Sequence, residues 1–262
     1  MERQSQSYHE EPIKMNLTPI FIIWYRDVLR FFREKSQLLT ALFRPALWLF
    51  AFGMGLRPSF KNIHGFNYIQ FVFPGVIAMT LIFTSIGSGI SIIWDREFGF
   101  LKEIMVAPIP RTWIVLGKSL SGSTLAMIQG GCVLLFAPLV GVHISFSEVL
   151  ICLLVMFLVS MSLTGLGIIL AARMTSFEGF GAIMNFIIMP LYFLSGAIFP
   201  LHGIPFWLYL VSILNPLTYG VDLLRGAMLH IHQFSYLLSS LFLLSFFILM
   251  LTGALFSLKY ET

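Results

Sequence analysis

Apolar and polar positions along this chain recur on several scales, and each scale predicts a different kind of element. On the longest, six runs are nearly free of charge: residues 38–56, 68–94, 113–140, 149–172, 179–199 and 234–258. A helix needs about 20 apolar residues to cross a bilayer core, so each run predicts a membrane span. The second and third are long enough to tilt or to extend past the lipid. On the helical period, residues 17–35 divide into two faces. Ile20, Phe21, Trp24, Tyr25, Val28, Leu29, Phe31 and Phe32 fill one side, and Arg26, Asp27, Arg30, Arg33 and Glu34 gather on the other. That pattern predicts a helix lying in the membrane interface with its basic face toward water, with Thr18 as its cap and Pro19 as its first residue. A soluble partner-binding helix is the competing reading, disfavoured by the aromatics and the direct run into a span.

Two segments break the long apolar rhythm. Residues 200–233 are apolar but punctuated by Pro200, Gly203, Pro205 and the Asn215, Pro216 pair, which predicts two short helices. Asn215 suits the cap of the second and Pro216 its first position, and this helix would carry Leu217, Tyr219, Leu223 and Leu224 beside Asp222 and Arg225. Non-helical backbone at membrane depth must be covered by protein or face water, so a re-entrant pair at the outer leaflet is expected. The other break is a charged island, residues 95–111, DREFGFLKEIMVAPIPR. As a helix it would place Phe98, Phe100, Leu101, Ile104 and Met105 on one arc, with Asp95, Arg96, Lys102 and Glu103 opposite. Glu97 falls inside the apolar arc, where a carboxylate is costly against lipid but useful if that face docks into another protein that can pair it. Pro108 and Pro110 end the helix. An ordinary charged loop is the plainer reading of the same residues.

Composition fixes the class. Of 262 residues, 58% are hydrophobic and only 11% charged, with 27 Phe; a soluble domain carries about 25% charged residues. The chain reads as an all-α membrane protein: a polar tail over residues 1–16, an interfacial helix over 17–35 and a six-span domain over 36–262. No signal-peptide core follows the tail, so the amino terminus is expected to be retained and cytoplasmic. With that end inside, only Arg57, Lys61 and Arg225 of the 16 Lys and Arg fall outside, and Arg44 lies within the first span. This bias puts both termini on the cytoplasmic side. Arg44 is a functional candidate by its position, although an arginine near the interface can also snorkel. No acidic residue sits near a span centre, which argues against proton or sodium coupling. Cys132 and Cys152 lie within spans and behave as small hydrophobes, and no metal-ligand spacing occurs. Gly117, Lys118 and Ser119 imitate the end of a phosphate-binding loop, but Thr112 stands where its first glycine belongs. Leu120 to Ser123 only faintly suggest an ABC ATPase signature. Small residues there, with Gly130 and Gly131, fit close helix packing.

The island resembles the cytoplasmic coupling loop of ABC-type 2 exporter permeases, whose R-E-x-G-x-L-x-E-x-x-x-A-P pattern is matched by Arg96, Glu97, Gly99, Leu101, Glu103, Ala107 and Pro108, with Arg111 as the following basic residue. NPLTYGVDLLRG resembles the same family's external N-P-x-x-Y-x-x-x-x-x-R signature through Asn215, Pro216, Tyr219 and Arg225. The resemblance spans almost the whole chain. It implies the membrane half of an ATP-driven exporter in the cell inner membrane: a homodimer working with two copies of a separate ABC ATPase. This chain would bind no cofactor and no nucleic acid, and the ATPase would use ATP and Mg. The resemblance also implies that this loop contacts the ATPase through Arg96, Glu97, Leu101, Glu103, Pro108 and Arg111, and the apolar arc adds Phe98 and Met105 as anchors if it forms the coupling helix. A substrate path between copies would draw on Phe43, Trp48, Phe83, Asn185, Tyr192 and Phe193. Aromatics in spans more often pack or face lipid. The rival readings are a self-contained secondary transporter or channel, and a membrane-embedded assembly or immunity protein.

Overall fold

A computed structural model describes residues 17–55, 63, 65–99 and 110–259. Every named element in it is a helix: α1 Thr18–Arg33, α2 Lys35–Gly55, α3 Tyr68–Gly87, α4 Ile90–Glu97, α5 Arg111–Leu134, α6 Ala137–Val140, α7 Phe146–Arg173, α8 Phe177–Phe193, α9 Phe206–Leu214, α10 Pro216–Leu229 and α11 Tyr236–Lys259.

Local chemistry sets several of these boundaries. Asn67 and Gln70 form a capping box that starts α3, and Ser145 with Glu148 forms another at α7. Ser176 accepts from the Gly179 amide to start α8. Asn215 accepts from the Leu217 amide at 3.0 Å with Pro216 as the first residue of α10, as its sequence predicts. Thr18 does not cap α1: the helix begins at Thr18 and Leu17 is its cap position, without a side-chain bond.

The core forms around α3, whose residues from Phe71 to Ile82 are buried almost without interruption against α5, α7 and α10. Pro74 sits inside this helix, and Pro45 and Pro190 sit inside α2 and α8. The second expected span is broken at Ser88–Gly89, between α3 and α4. There the chain crosses α7 so closely that a Cβ added at Gly167 would lie 2.5 Å from the Ile86 carbonyl oxygen. Glycine at the crossing lets the backbones touch, and dispersion over that contact replaces side-chain packing.

Among the described residues, three helices are long and apolar enough to cross a bilayer: Tyr68–Glu97 with its break, Phe146–Arg173 and Tyr236–Ser257. The α9–α10 pair, bent by 85°, would make a fourth if read as one span. The six-span expectation is therefore met only in part. Of the other expected spans, the first and third correspond to α2 and α5, which are long enough but more polar. In α5 the polar side chains of Lys118, Ser119, Ser121 and Ser123 are buried against neighbouring helices, so the apolar period is diluted without exposing charge. That third span also ends early, at Leu134, with Pro138 restarting the short α6. The fifth stops at Phe193 rather than 199, before Gly196 at φ +70°.

Candidate coupling site

The island begins as the last turn of α4, and the structure shows what holds that turn. Asp95 is buried and accepts from Lys118 Nζ of α5 at 2.6 Å and from Arg26 Nη2 of α1 at 2.9 Å. Asp27 of α1 accepts from the same two cations, from Lys118 at 2.9 Å and Arg26 at 2.8 Å. Two carboxylates and two cations thus alternate in a closed ring joining three helices. Ser91 accepts a further bond from Lys118 Nζ at 3.1 Å, and Ser121 donates to Asp27 at 3.3 Å. Lys118 is only 3% exposed. A lysine so buried is tolerable because each of its charge partners is in hydrogen-bond contact. Burial by itself would raise the Asp27 carboxyl, but Lys118 and Arg26 outweigh it and hold the group below the ordinary carboxylate value. Burial works against the Arg26 charge too, and its two carboxylates more than compensate, so its guanidinium is held more firmly protonated than usual.

The residues on either side of Asp95 are anchored elsewhere. Arg96 donates to the Met174 and Ala172 carbonyls at the end of α7, where a helix leaves acceptors unsatisfied and favours a cation. The Trp94 ring is covered by the Arg30 guanidinium at 4.8 Å and packs against Phe177 at 5.0 Å and Phe98 at 5.1 Å. Trp94, Asp95 and Arg96 therefore clamp one turn to α1, α5, α7 and the start of α8.

This geometry corrects the sequence reading in two places. The polar side of α1 does not face water as a whole: Arg30 and Arg33 are exposed, but Asp27 turns into the protein, and the apolar Phe21, Ile22, Tyr25 and Phe32 are exposed as well. Trp24, expected on the lipid face, donates to Thr124 of α5 at 3.0 Å. The reason is that a buried cation on α5 attracts the carboxylate more strongly than the helix period alone can reveal. The single helix expected through 95–107 is also interrupted. It stops at Glu97, where the Phe98 amide bonds the Trp94 carbonyl and Gly99 takes a left-handed φ of +75°, the backbone state a helix-ending glycine supplies. Glu97 and Phe98 are exposed, Phe98 by 71%. Leu101, Glu103, Met105 and Pro108 lie outside the described residues, and Arg111 opens α5. Asp27, Trp94 and Lys118 were not singled out as site residues in the sequence. The only signal for Lys118 was a charge within an otherwise apolar run.

The second motif is structural throughout. Asn215 Nδ2 donates to the Leu191 carbonyl at 2.6 Å, Tyr219 Oη to the Ile213 carbonyl at 2.9 Å and Arg225 Nη2 to the Gly196 carbonyl at 3.0 Å. The Arg225 guanidinium also lies 3.9 Å over the Phe71 ring. Asp222, unassigned from the sequence, accepts from the Gln233 and Phe234 amides and from Ser239, tying the start of α11 to α10.

The expected path residues separate into groups. Trp48 and Phe83 line a cavity of about 550 Å³ between α1, α2, α3, α4 and α5, and Phe43 is exposed beside it on α2. Asn185 and Phe193 are exposed on α8 outside that lining. Tyr192 is 1% exposed, packed into the core among α3 and α10 residues, so it cannot line an open path.

Similarity to known proteins agrees with this anatomy. The chain is 33% identical over 233 residues to a putative transport permease ycf38 of Cyanophora paradoxa, covering 87% of this chain and 79% of that protein. It is 31% identical over 219 residues to the inner membrane transport permease YadH of Escherichia coli (strain K12), covering 80% and 83%. Nodulation protein J of Rhizobium leguminosarum bv. viciae is 25% identical over 210 residues, covering 79% and 81%. The family profile described as ABC-2 type transporter matches residues 18–229, which takes in α1, the clamped turn, the cavity and the α9–α10 pair. By that match, and by its permease relatives, the chain belongs to the ABC-2 type transporter family and is a membrane-embedded transport permease.

Proposed function

We propose that this chain is the membrane half of an ATP-driven exporter that moves an amphipathic or lipid-linked substrate outward, as a homodimer coupled to two copies of a separate ABC ATPase. ATP and Mg would be used by that ATPase. The observation that carries the reading is the clamp at Trp94, Asp95 and Arg96. It fixes the base of the segment bearing the family's loop pattern, while Glu97 and Phe98 stay exposed for a partner. A rigid base with an accessible tip is what force transfer from a closing ATPase requires. The same reading places residues 95–111 and both termini on the cytoplasmic face of the inner membrane and the α9–α10 pair at the outer leaflet.

The test is reconstitution. The chain is expressed with a candidate ABC ATPase, purified through a tag on the permease and placed in liposomes. Equal amounts of the two subunits and ATP-dependent movement of a lipid-linked probe away from the ATPase side are expected. Transport by the chain alone would overturn the reading and favour a self-contained secondary transporter or channel.

A further inference from the structure

We propose that the cavity between α1, α2, α3 and α5 is a binding site for an acidic membrane lipid, with Arg44 as the counter-charge of its headgroup. Four charged side chains line this cavity: Asp27, Arg30, Glu34 and Arg44. Three of them are already answered. Asp27 belongs to the ring with Lys118 and Arg26, and Arg30 pairs with Glu34 at 3.3 Å. Arg44 has no carboxylate partner among the described residues. Its guanidinium lies 5.3 Å over the Phe83 ring, itself part of the cavity lining. Arg44 is exposed where the cavity opens, and a guanidinium resting on an aromatic face there offers its donors to an anion.

The shape of the surroundings says what kind of anion. Thr40, Arg44 and Trp48 line the cavity and also a shallow recess formed with Leu39, Phe43 and Leu47. Those three apolar side chains are exposed, and Phe50 continues their stripe along α2. The charge therefore sits where a polar cavity opens onto an apolar track. Deeper in the lining, Gln129 accepts from Thr84 at 2.6 Å, which leaves its amide nitrogen as a donor for a headgroup oxygen. A headgroup phosphate at Arg44 with its chains along Leu39, Phe43 and Leu47 satisfies both halves. A free anion leaves the track bare, and a neutral amphiphile leaves the charge unanswered.

Phe43, Trp48 and Phe83 are also residues expected in the substrate path, so the site is tested by lipid binding to this chain alone, and loss of that binding with ATP-driven transport retained would leave the export reading standing. Full-length permease in mild detergent is titrated with brominated phosphatidylglycerol or brominated phosphatidylcholine of the same chains, and quenching of tryptophan fluorescence is followed, Trp48 being in the lining. The wild type is expected to favour the acidic lipid by about tenfold, the worth of one charge-assisted contact. Arg44→Gln should abolish the preference and Arg44→Lys should keep most of it. Thr84→Phe, which fills the cavity and leaves the charge in place, should weaken phosphatidylglycerol about as much as Arg44→Gln, and it serves if Arg44→Gln does not fold. An unchanged preference in both Arg44→Gln and Thr84→Phe would overturn the proposal. So would displacement of the lipid by inorganic phosphate alone at matched concentration, which would make the site one for free anions. Tighter lipid binding after deletion of residues 1–16, which carry Glu2, Glu10 and Glu11, would assign the cavity to that segment instead.

Discussion

At the scale of the residue, the ring of Arg26, Asp27, Asp95 and Lys118 makes the strongest claim, because each carboxylate in it depends on at least one cation from another helix. Lys118→Met would leave two carboxylates sharing Arg26, which is partly exposed. Removing one partner from a buried ion pair costs about 3–5 kcal/mol, and the remaining arginine puts the expectation at the lower end. Chemical unfolding in mild detergent would measure it, and adding Asp95→Asn should recover part of the loss. A cost below about 1 kcal/mol would mean the ring behaves as surface pairs do. Its pH dependence has a definite sign. The Asp27 carboxyl titrates below its ordinary value when folded, so its contribution is complete above the unfolded value of about 3.9 and is lost as pH falls through the lower folded value. Wild-type unfolding should therefore steepen under strong acid, and Asp27→Asn should flatten that limb. The groups facing Asp27 are Arg26, Lys118 and Ser121, with Asp95 across the ring on the same two cations. Little of this was legible in the sequence. Arg26 and Asp27 read as a watery face and Lys118 as part of a false phosphate loop, because a pair separated by about 90 positions leaves no trace in a helical period.

At the scale of the element, what the sequence determines is what local chemistry determines. Asn215 and Pro216 announced the start of α10 correctly, since a cap and a first-turn proline act within a few residues. The end of α4 was misplaced because the apolar arc through residue 105 carries more periodic weight than one glycine. Yet Gly99 alone can take φ +75° without strain, and it decides the boundary. Close crossings were anticipated from the small residues at Gly130 and Gly131 but not by partner, and for Gly131 the expectation fails. Gly117 meets Ile23 of α1, Gly130 meets Met156, and Gly167 meets the Ile86 backbone, whereas a side chain at Gly131 would meet nothing within 4 Å. The contrast supplies a paired prediction. Gly167→Ala must push α3 from α7 and should cost about 1–3 kcal/mol of stability, the usual range for overpacking. Gly131→Ala, in the open part of α5, should be neutral or gain up to about 1 kcal/mol through helix propensity. Both are read by the same unfolding titration, and equal effects would remove the crossing as a source of stability.

At the scale of the whole molecule, composition was enough for the membrane class, and two motifs in order were enough for the family. The number of spans was not, because α5 buries a polar face that hydropathy counts against it, and α8 is shorter than its apolar run. The separation between a buried clamp and an exposed tip leads to a prediction about coupling. Asp95 and Arg96 are spent on contacts within the chain, so Asp95→Asn should lower stability and coupling together. Glu97 and Phe98 are exposed, and among the described residues Phe98 stacks on Trp94, so replacing either should leave unfolding nearly unchanged. If they meet the ATPase, Phe98→Ala should weaken association by about 2 kcal/mol, the loss typical of an apolar anchor at an interface centre. Glu97→Ala should lower transport per ATP hydrolysed. Lys102→Ala, a charge that the sequence period sets opposite the apolar arc of the same segment, should cost less than about 1 kcal/mol. Subunit recovery, transport and hydrolysis measured on one reconstituted preparation separate these outcomes. Glu97→Ala indistinguishable from Lys102→Ala in all three, with normal coupling, would leave Glu97 as a residue that points to water and would move the contact to another part of residues 95–111.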